Sequence, residues 1–503
     1  MVGVRPPVKL AAALGAGGSF LAAGLITLSP SAVAQPRPDA ATAAAQWQAG
    51  ELENGAIPGF SPGIYDWGLT VDTLIALKAT GADDAAADKV VDTLKVHVRD
   101  YNSYDAWGEP GQRVSGATAK LLYAAVAAGE NPAEFGEYNL RQETLDLIAG
   151  PEKGLEEGRL KDKVLDGSDN SNTFGQSLAV VGLARSGDVP QSAVDFLIDQ
   201  QCAAGGFRLY PYAFGSGTVT GDCDAQGDDA VLDPDSTAMA VQALLAAAED
   251  GAEGAAAAAK KGGDWLAAIQ HDDGALMGSG PTAFPNANST GLGGQALAAT
   301  GHQAAADKAA AWVEAHQITS SNAGAASAET GTIAYNDEAL TGAQADGISE
   351  FQRDQWRRST PQALLTLAQI PLGEIGNTDP GPGPDPSDDP SNDPSNDPSG
   401  DPSDDPSGDP SDDPSGDPSD TPGGDPSQDP SGEPSSTPSD NVSGSPTPTV
   451  GATTPTNPAP VGGNGPLAST GSSTLVIGGT AAVLTAAGYA AFRAAKRRQG
   501  AHT

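Results

Sequence analysis

The feature that most constrains this chain is a segment that would be apolar on every side of a helix. Residues 232–247 read Leu-Asp-Pro-Asp-Ser-Thr-Ala-Met-Ala-Val-Gln-Ala-Leu-Leu-Ala-Ala. Asp235 or Ser236 is placed to cap that helix, and no charged side chain follows until Glu249. A helix without a polar face has to be buried, and its many alanines let neighbours approach closely. The design occurs six times, over residues 67–81, 115–129, 172–187, 232–247, 288–301 and 359–369. Most copies start at Ser, Thr, Asn or Asp and stop at Gly, the usual cap asymmetry. In the last, Pro361 falls in the expected first turn, where a missing N–H does no harm.

Between these copies, residues 41–52, 84–98, 140–148, 191–202, 254–270 and 303–317 suit helices with one polar face. One buried and one amphipathic helix about every 50 to 70 residues is a repeat architecture. Six pairs predict an all-α, (α/α)6 toroid over residues 35–376, with inner helices as a barrel and outer helices around it. An open superhelix is the alternative, but a ring has no end faces to cap.

The chain has 503 residues, a formal charge of −39 and two cysteines. Its acidity argues against nucleic acid, because no basic stripe exists to neutralise phosphates. At the start, Arg5 and Lys9 precede an apolar run over residues 10–28, and Ala32-Val33-Ala34 supplies small residues before Gln35. Residues 1–34 therefore read as a signal peptide cleaved between Ala34 and Gln35, an uncleaved anchor being the alternative. Residues 377–465 are mostly Asp, Pro, Ser, Gly and Thr, with 18 acidic residues and no Lys or Arg between Asp379 and Asp440. Such a composition cannot bury a core. It reads as a disordered wall-spanning linker; at about 3.1 Å per residue in polyproline II it extends to roughly 275 Å. Regular prolines keep its aspartates from curling into a calcium cage.

Residues 466–503 hold Leu467-Ala468-Ser469-Thr470-Gly471, an apolar stretch over 474–492, then Arg493, Lys496, Arg497 and Arg498. The stretch is long enough for a transmembrane helix, and the basic tail orients it. This order resembles the cell-wall sorting signal of Gram-positive surface proteins, in the Leu-Ala-x-Thr-Gly form of high-GC actinobacteria. The better-known form has Pro where Ala468 stands, which leaves the sortase class open. The resemblance implies sortase as a partner, membrane attachment before sorting, and peptidoglycan joined covalently through Thr470. A plain C-terminal membrane anchor is the alternative.

Gln200-Gln201-Cys202-Ala203-Ala204-Gly205-Gly206-Phe207 joins an outer segment to Asp235-Ser236-Thr237-Ala238. Gln270-His271-Asp272-Asp273-Gly274-Ala275-Leu276 stands likewise before Asn288-Ser289-Thr290, and Gln46-Trp47 with Gly59-Phe60 follows more loosely. The layout is similar to the Gln-x-x-x-Gly-x-aromatic repeat of terpene cyclases and protein prenyltransferases, whose α/α toroid also serves cobalamin carriers and complement thioester domains. The likeness covers about residues 40–372 and speaks for fold more than for activity.

Class II terpene cyclases carry Asp-x-Asp-Asp-Thr-Ala where this chain has Asp233-Pro234-Asp235-Ser236-Thr237-Ala238. The resemblance would make Asp235 the acid that protonates an alkene, with Asp233 beside it, but Ser236 replaces the assisting aspartate. Aromatic residues, which line cyclase cavities against carbocations, make up 5% of the chain. A zinc prenyltransferase needs a Cys thiolate with Asp and His. Cys202 and Cys223, in an exported chain, instead predict a disulfide worth roughly 3 kcal/mol in the chain-entropy model. The thioester sequence Cys-Gly-Glu-Gln is absent. No metal or cofactor is expected.

In an inner barrel the loops before the helices converge at one mouth. That places Asp66, Trp67, Tyr104, Trp107, Asn170, Asn172, Asp233, Asp235, Asn288 and Trp356 together as a site for an unknown extracellular ligand, a glycan, peptide or cobalamin-like molecule. The alternative is that they cap helices and fill loops. The expectation is an exported, wall-anchored and non-catalytic display protein; a secreted cyclase or transferase using Asp235, and a purely structural wall protein, are the competing readings. Muramidase-released protein should end at Thr470, linked to a peptidoglycan fragment. Mass spectrometry finding a terminus beyond Gly471 would rule out sorting.

Overall fold

The computed structural model describes residues 36–377, apart from 60, 62, 106–108, 165–168 and 213–217. The predicted signal peptide, linker, sorting signal and transmembrane segment therefore lie outside the described residues. Among those described, no helix is long and apolar enough to cross a membrane. The chain is mostly helical, and its β contacts are isolated bridges between loops.

In chain order the helices are α1 (Pro38–Gly50), α2 (Trp67–Thr80), α3 (Asp84–Val96), α4 (Val98–Asn102), α5 (Ser115–Ala127), α6 (Leu140–Leu145) and α7 (Thr173–Arg185). There follow α8 (Gln191–Asp199), α9 (Pro234–Glu249), α10 (Ala255–Ile269), α11 (Ala287–Ala299), α12 (Gln303–Ala315), α13 (Asp337–Asp346) and α14 (Glu350–Ala368). α2, α5, α7, α9, α11 and α14 pack each on the next, and α14 returns to α2, so six inner helices close a ring, as expected of an α/α toroid. Every residue of α7 from Thr173 to Leu183 is buried, and every residue of α11 from Ala287 to Leu297. The outer helix α3 buries only Ala87, Val90, Val91 and Leu94, one helical stripe.

Small residues set the spacing between inner helices. A Cβ on Gly291 of α11 would lie 2.4 Å from the Gln362 carbonyl oxygen of α14, and one on Gly182 of α7 would lie 2.8 Å from Leu122 of α5. Larger side chains at either position would force the barrel apart.

Several expected helix starts shift. α9 is capped by Asp233, whose side chain accepts from the Ser236 N–H; neither Asp235 nor Ser236 is the cap. Pro234 takes the first turn, where its missing N–H is harmless. Likewise Asn286, not Asn288, caps α11. Pro361 lies inside α14, contrary to the expected helix start at Ser359. Proline leaves the carbonyl four residues back without its helical donor. Here the Gln48 amide of α1 donates to the Arg357 carbonyl at 3.2 Å, and Asn288 donates to that of Arg358 at 3.1 Å. Tertiary donors thus keep a proline-containing helix continuous.

The junctions between outer and inner helices repeat one construction. Gly205, Gly274 and Gly331 adopt positive φ, with backbone of the next outer helix within 2.2 to 2.8 Å of where a Cβ would be. Two residues on, the N–H of Phe207, Leu276 or Ile333 donates to the hydroxyl of Thr237, Thr290 or Thr360 on the inner helix. The Ile57 N–H donates to Thr70 in the same way. A glutamine before each glycine spans to the next outer helix: Gln201 donates to Ala258, Gln270 to Ala305, and Gln317 to Ala40, at 2.9 Å in each case. The repeat glutamine is thus Gln201, whereas Gln200 orients Arg208. Gln317 joins the last outer helix to the first.

A smaller core of Ile318, Ala323, Ala326, Ala334, Ala343 and Trp356 lies under α13, with Trp47 packed against it. Trp356 is therefore interior, not at the mouth as expected. Arg353 pairs with Glu51 and Glu329, and Arg357 with Glu51, tying α1 to the outer half of α14.

Gln317→Leu removes the donor to two carbonyls, Ala40 and Gly331, at the seam where the ring closes. The variant should lose about 1–3 kcal/mol in urea unfolding. A loss below roughly 0.5 kcal/mol, the scale of an ordinary surface change, would mean the ring does not depend on that seam.

Candidate functional site

The inner helices run parallel, so their N-terminal ends and the loops before them form one face of the ring. Asp66 caps α2 through the Leu69 N–H, and its other oxygen receives Arg358 at 2.5 Å. Burial disfavours the Arg358 charge, but Asp66 and Asp354 outweigh it and raise the guanidinium above its ordinary pKa. Trp67 is half-buried and stacked on His97 at 4.4 Å, with Tyr65 tilted against it at 5.6 Å. His97 in turn pairs with Asp100 at 2.6 Å. Asn172 caps α7 through the Gly175 N–H. Asn170 is exposed, and its N–H donates to Asp162, which also accepts from the Ser115 N–H and hydroxyl and so caps α5 from outside. Tyr104 is half-buried against the main core. Trp107 lies outside the described residues.

Asp233 is fully engaged. Its carboxylate accepts from the Ser236 N–H and hydroxyl at 2.8 and 2.5 Å, and from the Ser279 hydroxyl at 2.6 Å. Asn288 is buried and donates to Gln362 and to the Arg358 carbonyl. The nine described mouth candidates thus do not form one open cluster. Those described are mostly caps, ion pairs or packed rings.

Asp235 stands apart. It is 2% exposed, and its Oδ1 has no hydrogen-bond partner. The Tyr335 hydroxyl is also buried without a partner, and Asp235 acts on it electrostatically. Burial first, then the charge of Asp233, pushes the Asp235 carboxyl well above the usual range, with a Ser289 hydrogen bond acting the other way. Position explains the missing partner. Once Asp233 takes the cap, Asp235 falls in the first turn of α9 and turns into the ring wall against Gly278.

Inside the barrel is a cavity of about 20 Å3, lined by Asp72, Lys120, Tyr123, Met239, Gln362 and Leu372 among others. That is room for a water molecule. Asp72 and Lys120 form a buried ion pair at 2.7 Å, and Lys120 also donates to the Gly68 carbonyl at 2.9 Å. Burial raises the Asp72 carboxyl, while Lys120 lowers it. Composition and spacing gave no signal for this pair, because the two residues lie on different, mostly apolar helices.

Cys202 and Cys223 form the expected disulfide. Arg208, buried beside it, donates to Thr220, Gln226 and the Gly221 carbonyl, holding the loop before α9. Among the described residues, no group of three His, Cys, Asp or Glu is arranged to hold a metal ion.

Residues 385–420 match the PT disordered repeat family. No curated protein matches the chain in sequence. Among solved structures, it is similar to a protein from Actinoplanes, with 16% identity, 66% of this chain and 99% of that one covered, and a TM-score of 0.42. It is similar also to the type II terpene cyclase MstE from Scytonema, with 13% identity, 67% and 98% coverage, and a TM-score of 0.43. An inactive variant of the α-1,6-mannanase GH76A of Salegentibacter sp. HEL1_6 gives 13%, 67% and 99%, with a TM-score of 0.45. At these values the likenesses say nothing of activity or substrate.

The pH dependence of stability follows from Asp235. An unfolded aspartate titrates near 3.9, and the folded carboxyl keeps its proton to a higher pH. Between the two values the folded state binds the extra proton, so stability falls as pH rises through that window. Asp72 contributes with the same sign. In urea unfolding, Asp235→Asn should therefore gain on the wild type progressively from about pH 4 upward. A difference that stays flat between about pH 4 and 8 would show that Asp235 ionises freely in the folded ring.

Proposed function

We propose that this chain is an exported, peptidoglycan-anchored surface protein whose α/α toroid is a non-catalytic head that binds an extracellular ligand or partner through its N-terminal loop face. The observation that supports this most is where the chain enters and leaves the head. The Arg37 N–H donates to the Leu367 carbonyl at the end of α14, and Asn377 reaches Arg185 at the end of α7. Both lie at the C-terminal end of the inner helices. The N-terminal loops form the other end of the ring. On this reading residues 1–34 are removed on export, Thr470 is joined to the wall by a sortase, and the linker holds the head outward.

The ring interior argues for the rim. Ligand chambers typically measure about 300–1,000 Å3, against the cavity of about 20 Å3 found here. A ligand would meet Tyr65, Trp67 and the neighbouring loops, not the barrel axis.

One observation favours the enzyme alternative: Asp235 is a buried carboxyl beside Asp233, its Oδ1 has no hydrogen-bond partner, and burial pushes it well above the usual carboxylate range. An isoprenoid cyclised by that acid would need far more space than the cavity of about 20 Å3. Purified mature protein should retain a molecule from an extracellular glycan and peptide array and lose it in the Trp67→Ala and Trp107→Ala variants. Unchanged retention in both would remove the rim from the proposal. Turnover of a linear polyene that Asp235→Asn abolishes would establish the cyclase alternative instead.

A further inference from the structure

At the N-terminal face, the loop between α10 and α11 closes over Asp235. Residues 277–285 fold back through the Met277–Pro285 bridge and a bond from the Gly278 N–H to the Thr282 carbonyl at 3.0 Å. Gly278 is buried, and a Cβ there would lie 3.1 Å from Asp235 Oδ2, so the loop backbone rests on the carboxyl. Gly280, Pro281 and Ala283 are exposed. The Ser279 hydroxyl fastens the loop to Asp233 Oδ1 at 2.6 Å, and the Phe284 ring stands edge-on to Tyr335 at 5.8 Å. Asp233 and Tyr335 are also the titratable groups that face Asp235, with Ser289 of α11 as its polar neighbour. Among the described residues, no Lys, Arg or His acts on this carboxyl.

We propose that residues 277–285 are a pH-released cover: loss of the Asp235 proton opens this loop and brings Asp233, Asp235 and Tyr335 into contact with solvent, while the ring itself stays closed. With the loop shut, Asp235 Oδ1 and the Tyr335 hydroxyl have no hydrogen-bond partner. A carboxylate formed there would have neither a cation nor water to stabilise it, and it would face the Asp233 carboxylate. Burial accordingly holds the Asp235 carboxyl well above the usual range. Admitting water relieves both orphaned groups, and the loop is the part of the enclosure that can yield. The helices that supply Asp235 and Ser289, α9 and α11, are buried inner helices, whereas the loop has one surface in solvent. Its anchors Ser279 and Phe284 rest on Asp233 and Tyr335, the groups that ionisation of Asp235 disturbs. Linkage fixes the direction. An exposed aspartate titrates at about 3.9, and the covered one at a higher pH. Between those values opening releases a proton, so the open fraction rises about tenfold per pH unit.

Hydrogen exchange on the full mature chain tests this, with each amide's rate corrected for its intrinsic pH dependence. The Gly278 and Thr282 amides both bond within the loop. Across about pH 4 to 8 their protection should fall by at least about tenfold. Amides of α11 should stay better protected than the loop throughout, and in Asp235→Asn the loop's protection should not change with pH. Loop protection that equals that of α11, ignores pH, or falls as steeply in Asp235→Asn overturns the proposal. If Asp235→Asn does not fold, Ser279→Ala decides. It cuts the bond to Asp233 and leaves Asp235 in place, so loop protection should drop severalfold while its slope with pH persists. Unchanged protection in folded Ser279→Ala overturns the proposal equally.

Discussion

The ring depends on one junction, in which a loop amide donates to a threonine hydroxyl on the inner helix while a left-handed glycine lies against the next outer helix. The threonine hydroxyl is itself committed: Thr70, Thr237 and Thr290 donate to the carbonyls of the capping residues Asp66, Asp233 and Asn286. Each hydroxyl therefore joins the cap, the loop and the helix in one chain of hydrogen bonds, in a buried setting where an unmade bond is costly. Glycine is required because the backbone has positive φ and because neighbouring main chain fills the space of a Cβ. Lateral closure follows from the glutamines. Their amides bridge outer helices, and Gln317 spans from α12 to Ala40 at the start of α1. The second junction is built differently: the Val114 N–H donates to the Asn102 carbonyl, and the Asn102 amide to Thr118.

This framework also decides what the polar residues at the N-terminal face are free to do. Asp66, Asn172 and Asp233 are held by helix N–H groups, and Asp66 balances Arg358 as well. Asp235 escapes that use because the cap lies two residues earlier than expected. A carboxyl in the first helical turn faces the ring wall, not solvent, and the same burial that raises its pKa leaves little room for anything to react with it. Reactivity and access thus part company at this position.

The two ends of the ring differ in chemistry. At the N-terminal face, loops of varied length carry aromatic rings such as Tyr65 and Trp67. At the C-terminal end, Tyr123, Arg185, Gln242 and Gln295 converge on the backbone of the segment that follows α14. That grip needs all four helices at once, so it exists only when the ring is closed. It also holds the described chain up to Asn377 at the barrel floor.

The sequence by itself determined the six buried and six amphipathic helices, because composition around a helix decides whether it can face water, and it pointed to the disulfide, because the chain holds only two cysteines and each has one partner. It also showed the glycine and glutamine spacing of two junctions. Tertiary structure decided the rest. Caps shifted by two residues where a better-placed Asp233 or Asn286 competed, and α14 ran through Pro361 because Gln48 of another helix supplies the missing donor to the Arg357 carbonyl. Asp72 and Lys120 pair only because α2 and α5 lie side by side, and Tyr123, Arg185, Gln242 and Gln295 meet only at the closed floor. Such contacts span up to hundreds of residues, and no local pattern records them.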